Sequence, residues 1–183
     1  DFSFGRRNLL VTYHPTTVSN KSVQEEITEL LSALSRIENT SIVFTSPNLD
    51  KGSSEIREEI KHFCNRRQLT RKYFDSLGNT KYLSVMEISD AVVGNSSSGL
   101  LEAPTMKTST VNIGGRQEGR IRADSVIDVP VDRTRIYEGI SVALSGRFND
   151  VVKNTVNPYG EGTATRSIVE KLRTVDVPET TAK

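Results

Sequence analysis

Short apolar runs alternate with amphipathic segments along most of this 183-residue chain. Runs of four or five mostly apolar residues predict buried strands, and the segments between them carry apolar residues at helical spacing. The predicted strands cover residues 9–13, 41–45, 91–94, 109–113 and 125–129, and a weaker, more polar segment predicts a further strand around residues 71–74. The predicted helices cover residues 22–37, 53–65, 80–89, 99–103, 132–148 and 165–172. This order is typical of neither an all-helical nor an all-strand fold.

The alternation indicates a parallel sheet, because a chain that returns to the same end of a sheet needs a crossover, which is usually a helix. Several runs, such as residues 9–13, are apolar on both faces, which is typical of a sheet covered by helices on both sides. We therefore expect an α/β fold with a doubly wound, Rossmann-like parallel sheet of about six strands. In such sheets, ligands bind at the carboxyl ends of the strands.

Composition limits the class of partner. The 24 Lys and Arg nearly balance the 23 Asp and Glu, so no overall field attracts nucleic acid or a membrane surface. Cys64 is the single cysteine, which excludes an internal disulfide and fits a reducing compartment. No stretch approaches the ~20 apolar residues of a membrane span, and the first ten residues lack the apolar core of a signal peptide. We expect one cytoplasmic domain.

The residues after the fourth predicted strand predict an anion-binding site. An apolar run ends in a glycine, and three serines stand where the next helix begins, Ser96, Ser97 and Ser98. Backbone N–H groups at a helix N-terminus lack partners and lie at the positive end of the helix dipole, so they favour a phosphate. The hydroxyls can add donors, and Glu102 can accept hydrogen bonds from sugar hydroxyls. The alternative is a serine cap on an ordinary helix.

Polar residues follow three other predicted strands at the same edge of the sheet. His14 follows the first strand and precedes a proline that stiffens the loop, so its ring can donate to a phosphate or act as an acid or base. Asn48 follows the second strand. Arg116 follows the fifth, after two glycines, and its guanidinium can bind a phosphate or a carboxylate. The alternatives are a histidine that bonds nearby backbone and a solvated glycine-rich loop. The shared edge favours the phosphate site.

The sequence lacks the motifs of three other kinds of site. No cluster of histidines and carboxylates has the spacing of metal ligands, so we expect no metal. The run from Gly94 to Gly99 is not followed by the lysine of a Walker loop, which disfavours a P-loop nucleotidase. No G-x-G-x-x-G follows the first strand, which argues against a nicotinamide enzyme.

Together these residues resemble the carboxyl-terminal half of the hydrolysing UDP-N-acetylglucosamine 2-epimerases, of the bacterial sialic acid pathway kind. The resemblance spans nearly the whole chain and rests on the order and spacing of five motifs. They are Tyr13-His14-Pro15, Ser46-Pro47-Asn48-Leu49-Asp50, residues 89–99 with Glu102, residues 111–120, and Asn157-Pro158-Tyr159-Gly160-Glu161-Gly162. Such enzymes have the two-domain glycosyltransferase-B architecture, in which the carboxyl-terminal domain binds UDP at an interdomain cleft.

The resemblance implies a role for each candidate residue. His14 would lie by the diphosphate and the sugar, with a catalytic role. Asn48 would lie near the nucleotide, and Ser96 and Ser97 would bind phosphate. Glu102 would hold the ribose hydroxyls, and Arg116 would line the same pocket. The UDP-binding residues would be Asn48, Ser96, Ser97, Ser98, Glu102 and Arg116.

The resemblance also implies how the chain is organised. Residues 1–175 would be the UDP-binding, Rossmann-like domain of a two-domain enzyme. The polar composition of residues 176–183 separately predicts a frayed tail. The chain begins without an initiator methionine, so we interpret it as a piece of a longer protein. The carboxylates that move the C2 proton would belong to the missing amino-terminal domain. The full-length enzyme would be a homo-oligomer.

The implied reaction is anti elimination of UDP to give a 2-acetamidoglucal, followed by addition of water to release N-acetylmannosamine. No metal or organic cofactor is implied. This chain alone would bind UDP weakly and would not turn substrate over. Three other functions stay open: an epimerase of a diacetamido-trideoxy UDP-sugar, the nucleotide domain of a glycosyltransferase, and a non-catalytic nucleotide-binding module.

Overall fold

The computed structural model describes residues 2–16, 21–160 and 162–175. These residues form a six-stranded parallel sheet of order β3-β2-β1-β4-β5-β6. The strands are β1 (Asn8–Thr12), β2 (Ser41–Thr45), β3 (Arg71–Phe74), β4 (Ala91–Gly94), β5 (Ser109–Ile113) and β6 (Val126–Val129). The helices are α1 (Val23–Ser35), α2 (Ser53–Asn65), α3 (Gly78–Glu87), α4 (Ser98–Leu101), α5 (Arg133–Ala143), α6 (Gly146–Asn154) and α7 (Ala164–Thr174). The predicted fold class is confirmed.

The core lies on both faces of the sheet, because the central strands are apolar on both sides. Leu9 and Val11 point to one face and pack in a cluster with residues of α1, α2 and α5. Leu10 points to the other face and packs with Met86 of α3 and with Ala103, just after α4. All four of these β1 and α3 side chains are fully buried. The sheet is therefore doubly wound, as the sequence predicts.

Local signals in the sequence set several helix boundaries. Ser22 and Glu25 form a capping box that begins α1: the Ser22 hydroxyl accepts from the Glu25 N–H, and the Glu25 carboxylate accepts from the Ser22 N–H. Asp132 caps α5 by accepting from the N–H groups of Thr134 and Arg135. These caps explain why the predicted starts of both helices lie within a residue of those in the structure.

Two helix predictions were wrong in extent. The predicted helix over residues 132–148 is two helices, because α5 ends at Ala143 and Ser145 caps a new helix by accepting from the Phe148 N–H at 3.3 Å. The predicted helix over residues 99–103 is only the four-residue α4, followed by turns through Lys107. The predicted tail over residues 176–183 lies outside the described residues.

The connection from β5 to β6 is a loop over residues 114–125 and contains no helix. Arg122 holds this loop, because its Nη1 donates to the Gln117 carbonyl at 2.8 Å and its Nε pairs with Asp128 at 3.0 Å. Asp128 also accepts from the Asn112 side chain at 2.6 Å. The loop is thus tied to both of the strands that it joins. None of the helices in the described part of the chain is long and apolar enough to cross a membrane.

Candidate anion-binding site at the carboxyl ends of the strands

The candidate residues lie around the topological switch point of the sheet. β1 and β4 are neighbours, and the chain leaves β1 toward β2 on one side and leaves β4 toward β5 on the other. His14 follows β1, and Ser96 to Ser98 follow β4. Asn48 and Arg116 follow the flanking strands β2 and β5. Parallel strands end at one edge, so this is the place where a doubly wound sheet offers a crevice to a ligand.

Gly94 allows β1 and β4 to approach closely at that edge. Its φ is +138°, and a Cβ added there would lie 2.0 Å from the carbonyl oxygen of Thr12. A side chain would therefore collide with the backbone of β1, so the position requires glycine.

Asn95 connects the loop after β4 to the loop after β1. Its side chain is fully buried, and its Oδ1 accepts from the His14 N–H at 2.7 Å while its Nδ2 donates to the His14 carbonyl at 2.8 Å. Its own carbonyl accepts from Arg116 Nη1 at 3.1 Å and from Gln117 Nε2 at 2.8 Å. One asparagine thus holds His14, Arg116 and Gln117 in fixed relation.

The imidazole of His14 is held in one tautomer. Its Nδ1 accepts from the Asn48 N–H at 3.0 Å, so the neutral ring carries its proton on Nε2. Burial, reinforced by the positive charge of Arg116, lowers the pKa of His14 to about 4. The ring is therefore uncharged at neutral pH and has an Nε2–H group to donate.

The serine hydroxyls form a chain with a tyrosine of α3. Ser98 Oγ lies 2.7 Å from Tyr82 Oη and 3.1 Å from Ser96 Oγ. Tyr82 Oη also lies 3.4 Å from the hydroxyl of Thr12, at the end of β1. Ser97 occupies the N-cap position of α4, but its side chain makes no capping hydrogen bond. The Ser96 hydroxyl instead accepts from the Ser98 N–H at the start of α4, at 3.4 Å, and the half-buried Ser97 hydroxyl is left to serve a ligand.

The helix dipole contributes less here than the sequence suggests. α4 is a single turn of four residues, so few peptide dipoles add along it. The donors that converge on this edge are mainly side chains: the serine hydroxyls, the His14 ring and the Arg116 guanidinium.

Two other candidate residues carry buried oxygens that lack hydrogen-bond partners in the described part of the chain. Glu102 is the residue directly after α4, and its Oε2 is such an atom; burial raises the pKa of its carboxyl group. Asn48 Oδ1 is the second, while the Asn48 amide donates to Asp50. Unpartnered buried oxygens are costly, so both are suited to accept from ligand hydroxyl or N–H groups.

The segment of the last motif lies against this edge. Asn157 Nδ2 donates to the Leu101 carbonyl at 2.8 Å and to Thr105 Oγ1 at 2.7 Å, and Tyr159 Oη donates to the Ile121 carbonyl at 3.2 Å. These contacts join the end of α4 to the loop after β5. Glu161 lies outside the described residues.

Three residues of the site were missed as individual candidates: Asn95, Gln117 and Tyr82. Asn95 and Gln117 stand beside predicted residues in two of the motifs, and a polar residue at the end of an apolar strand was the signal for Asn95. Tyr82 gives no such signal, because only the packing of α3 brings it to Ser98. Among the described residues, no group of three or more His, Cys, Asp or Glu could hold a metal ion.

A doubly wound sheet with donors gathered at its switch point is the architecture of α/β domains that are suited to bind phosphate-containing ligands. The family model of UDP-N-acetylglucosamine 2-epimerase matches residues 3–173. The chain therefore belongs to the UDP-N-acetylglucosamine 2-epimerase family, as the resemblance predicts.

Curated relatives carry more specific names. The chain is 43% identical over 155 residues to the polysialic acid biosynthesis protein P7 of Escherichia coli, covering 84% of this chain and 39% of that protein. It is 44% identical over 123 residues to the hydrolysing GDP/UDP-N,N'-diacetylbacillosamine 2-epimerase of Campylobacter jejuni, covering 67% of this chain and 32% of that protein. The chain thus spans less than half the length of these relatives.

Solved structures share the fold. The UDP-GlcNAc 2-epimerase of Neisseria meningitidis, solved with UDP-GlcNAc bound, matches with a TM-score of 0.75 at 18% identity, over 92% of this chain and 45% of that one. S. aureus MnaA, solved with UDP, matches with a TM-score of 0.72 at 15% identity, over 91% of this chain and 45% of that one. The fold described here corresponds to one half of these glycosyltransferase-B-like structures.

Proposed function

We propose that residues 1–175 are the UDP-binding half of a hydrolysing UDP-N-acetylglucosamine 2-epimerase that releases N-acetylmannosamine. The observation that carries the proposal is the attachment of His14 and Arg116 to Asn95, directly beside the three serines at the switch point. This arrangement gathers neutral and cationic donors at one place, which suits the two phosphates of UDP.

Each part of UDP has a suitable position. The diphosphate accepts from the Nε2–H of His14, from Arg116 and from the Ser97 hydroxyl. The unpartnered Glu102 oxygen accepts from the ribose hydroxyls. The uracil enters a cleft of about 290 Å³ at the ends of β2 and β3, which is lined by Ser46, Asp75, Leu77, Asn79 and Tyr82 among others. Tyr82 bonds Ser98, so this cleft adjoins the phosphate donors.

The chemistry divides between two halves of the enzyme. A base on the amino-terminal domain removes the proton at C2, the electron pair of that C–H bond forms the C1–C2 double bond, and the bond between C1 and the UDP oxygen breaks. Water then adds across the double bond, with its oxygen at C1 and a proton at C2, and N-acetylmannosamine results. Negative charge grows on UDP as the bond breaks, so donors already aimed at the phosphates lower the barrier.

An uncharged His14 suits this role. A histidine with a pKa of about 4 stays neutral through the physiological range. It therefore donates its Nε2–H to the diphosphate and does not itself take the C2 proton. The hydrogen bond from Asn48 fixes the ring, so little reorganisation accompanies the reaction.

A second sugar nucleotide is a candidate substrate. Relatives from Campylobacter jejuni and Legionella pneumophila, at 44% and 30% identity, are named hydrolysing diacetylbacillosamine 2-epimerases. We therefore keep an epimerase of a diacetamido-trideoxy UDP-sugar as the alternative. The groups that recognise the sugar belong largely to the amino-terminal domain. We also propose that the full-length protein is a homo-oligomer and that it is cytoplasmic.

Titration of this chain by calorimetry tests the proposed division of labour. We expect UDP and UDP-N-acetylglucosamine to bind with similar affinities and free N-acetylglucosamine not to bind, since this half recognises uridine and diphosphate. The Arg116→Gln variant should bind UDP more weakly, and an Arg147→Gln control on α6 should bind it like the parent chain. Binding of the free sugar, or equal UDP affinity in the Arg116 variant, would contradict the proposal.

A further inference from the structure

A basic cleft lies beside the outer edge of the sheet, away from the switch point. The carboxyl end of α2 and the edge strand β3 form it, and its volume is about 280 Å³. Its polar lining includes Lys61, Asn65, Gln68, Arg71 and Lys72 and contains no carboxylate. We name it the edge cleft.

The charge around the edge cleft is one-sided, although the chain as a whole is nearly neutral. Residues 60–74 hold five of the 24 Lys and Arg and none of the 23 Asp and Glu. Cations at a helix C-terminus stabilise its dipole, which accounts for Arg66 and Arg67 at the end of α2. The dipole of α2 does not account for Arg71 and Lys72, because both lie on β3.

Arg71 is the cation at the base of the edge cleft. It is 6% exposed, its guanidinium lies 3.7 Å from the centre of the Phe63 ring, and its Nη1 donates to the Phe63 carbonyl at 3.3 Å. None of its contacts among residues 2–16, 21–160 and 162–175 is an ion pair with a carboxylate. A guanidinium has five N–H donors, and a buried cation without a counter-ion is costly, so an anion supplied from solution would complete the site.

The size and lining of the edge cleft favour a small ligand. A volume of about 280 Å³ has room for a compact anion such as phosphate or a small phosphomonoester. The ammonium of Lys61 lies 5.0 Å from the centre of the Tyr73 ring and over one of its faces, so that face is not open to a nucleobase. Three cations with the amides of Asn65 and Gln68 are donors for the oxygens of a phosphate.

We propose that the edge cleft binds the phosphate group of free phosphate or of a small phosphomonoester. Arg71 is its fixed donor, and Lys61 and Lys72 close on the anion from the rim. The edge cleft begins at Arg71, the first residue of β3, whereas the switch-point site lies at the opposite ends of the strands. This second anion site is independent of the proposed UDP site.

Backbone NMR of the ¹⁵N-labelled chain tests the edge cleft, because it locates binding residue by residue. The chain is titrated with inorganic phosphate, with glycerol 3-phosphate, and with sodium chloride at matched ionic strength. We expect saturable shifts in the amides of residues 61–73 with the first two ligands only. Tighter binding of glycerol 3-phosphate would show that the edge cleft also contacts the organic part of a phosphomonoester, and equal or weaker binding would show that it recognises the phosphate group alone.

Variants supply the control. Lys61 and Lys72 are exposed, so the double variant Lys61→Ser/Lys72→Ser keeps the fold and should weaken phosphate binding by about tenfold. The double variant Lys153→Ser/Lys171→Ser removes the same charge from α6 and α7 and should bind phosphate like the parent chain. The proposal is overturned if chloride reproduces the shifts, if the shifts occur only near residues 95–98, or if both double variants bind equally.

Discussion

Ser97 has a half-buried hydroxyl at the N-cap of α4 that makes no capping bond, so its removal should affect a ligand more than the fold. In the full-length enzyme, Ser97→Ala should lower kcat by about 100- to 1,000-fold, because one donor in an anion hole contributes about 2.7–4 kcal/mol to the transition state. Steady-state release of UDP measures the effect. Ser141→Ala on the exposed face of α5 is the matched control, and an unchanged rate for Ser97→Ala would remove serine donation from the mechanism.

His14 should make stability depend on pH between about 6.5 and 4. Its pKa falls from 6.5 to about 4 on folding, so in this window the unfolded chain binds a proton that the folded chain does not. The free energy of unfolding should therefore decrease as pH falls, by about 1 kcal/mol between pH 7 and pH 5 after allowance for partial exposure.

Urea unfolding at the two pH values measures this dependence, and His14→Asn supplies the comparison. Asparagine keeps an acceptor for the Asn48 N–H but does not titrate, so the variant should lose less stability at pH 5 than the parent. Glu29, whose pKa is lowered to about 2 mainly by its hydrogen bond from Arg133, acts at lower pH. The contribution of Glu29 to the free energy of unfolding is fully present above about pH 4.5 and is lost as the pH falls toward 2. An identical pH dependence in both chains would show that His14 is not the titrating group.

At the scale of the elements, the contact between β1 and β4 depends on Gly94. Gly94→Ala should lower the free energy of unfolding by more than about 3 kcal/mol, because the new Cβ would lie 2.0 Å from the Thr12 carbonyl oxygen and φ is +138°. Gly146→Ala is the matched control, since no atom lies within 4 Å of its added Cβ and the residue begins α6. It should leave stability unchanged or raise it by up to about 1 kcal/mol. Similar urea midpoints for the two variants would disprove the steric account.

The sequence predicts helices and strands best where the spacing of apolar residues and the positions of capping residues agree. Strands β1, β2, β4 and β5 are short apolar runs, and their positions needed only that pattern. The division between α5 and α6 was missed because apolar residues continue through Leu144, and only the Ser145 cap interrupts the helix. In the site, each strand-end residue was predictable from its loop. The contacts of Asn95 and Tyr82 were not, because they join residues of different loops and helices, from 16 to 81 positions apart in the sequence, that meet only when the domain packs.

At the scale of the whole molecule, this chain covers less than half of its curated relatives. We expect it to bind UDP and to release no N-acetylmannosamine from UDP-N-acetylglucosamine, because the proposed base at C2 lies on the other domain. Product analysis by chromatography measures turnover, with the full-length enzyme as the positive control. Release of the free sugar by this chain alone would contradict the assignment of the base.

The attachment of two loops to Asn95 has a consequence for how substitutions combine. The His14 backbone and the Arg116 guanidinium both bond Asn95, so neither loop can shift without disturbing the position of the other. The Asn95 side chain holds the backbone of His14, and the Asn95 carbonyl accepts from Arg116, so the energetic effects of Asn95→Ala and Arg116→Gln should not be additive. A double-mutant cycle on these two residues should give a coupling energy clearly different from zero.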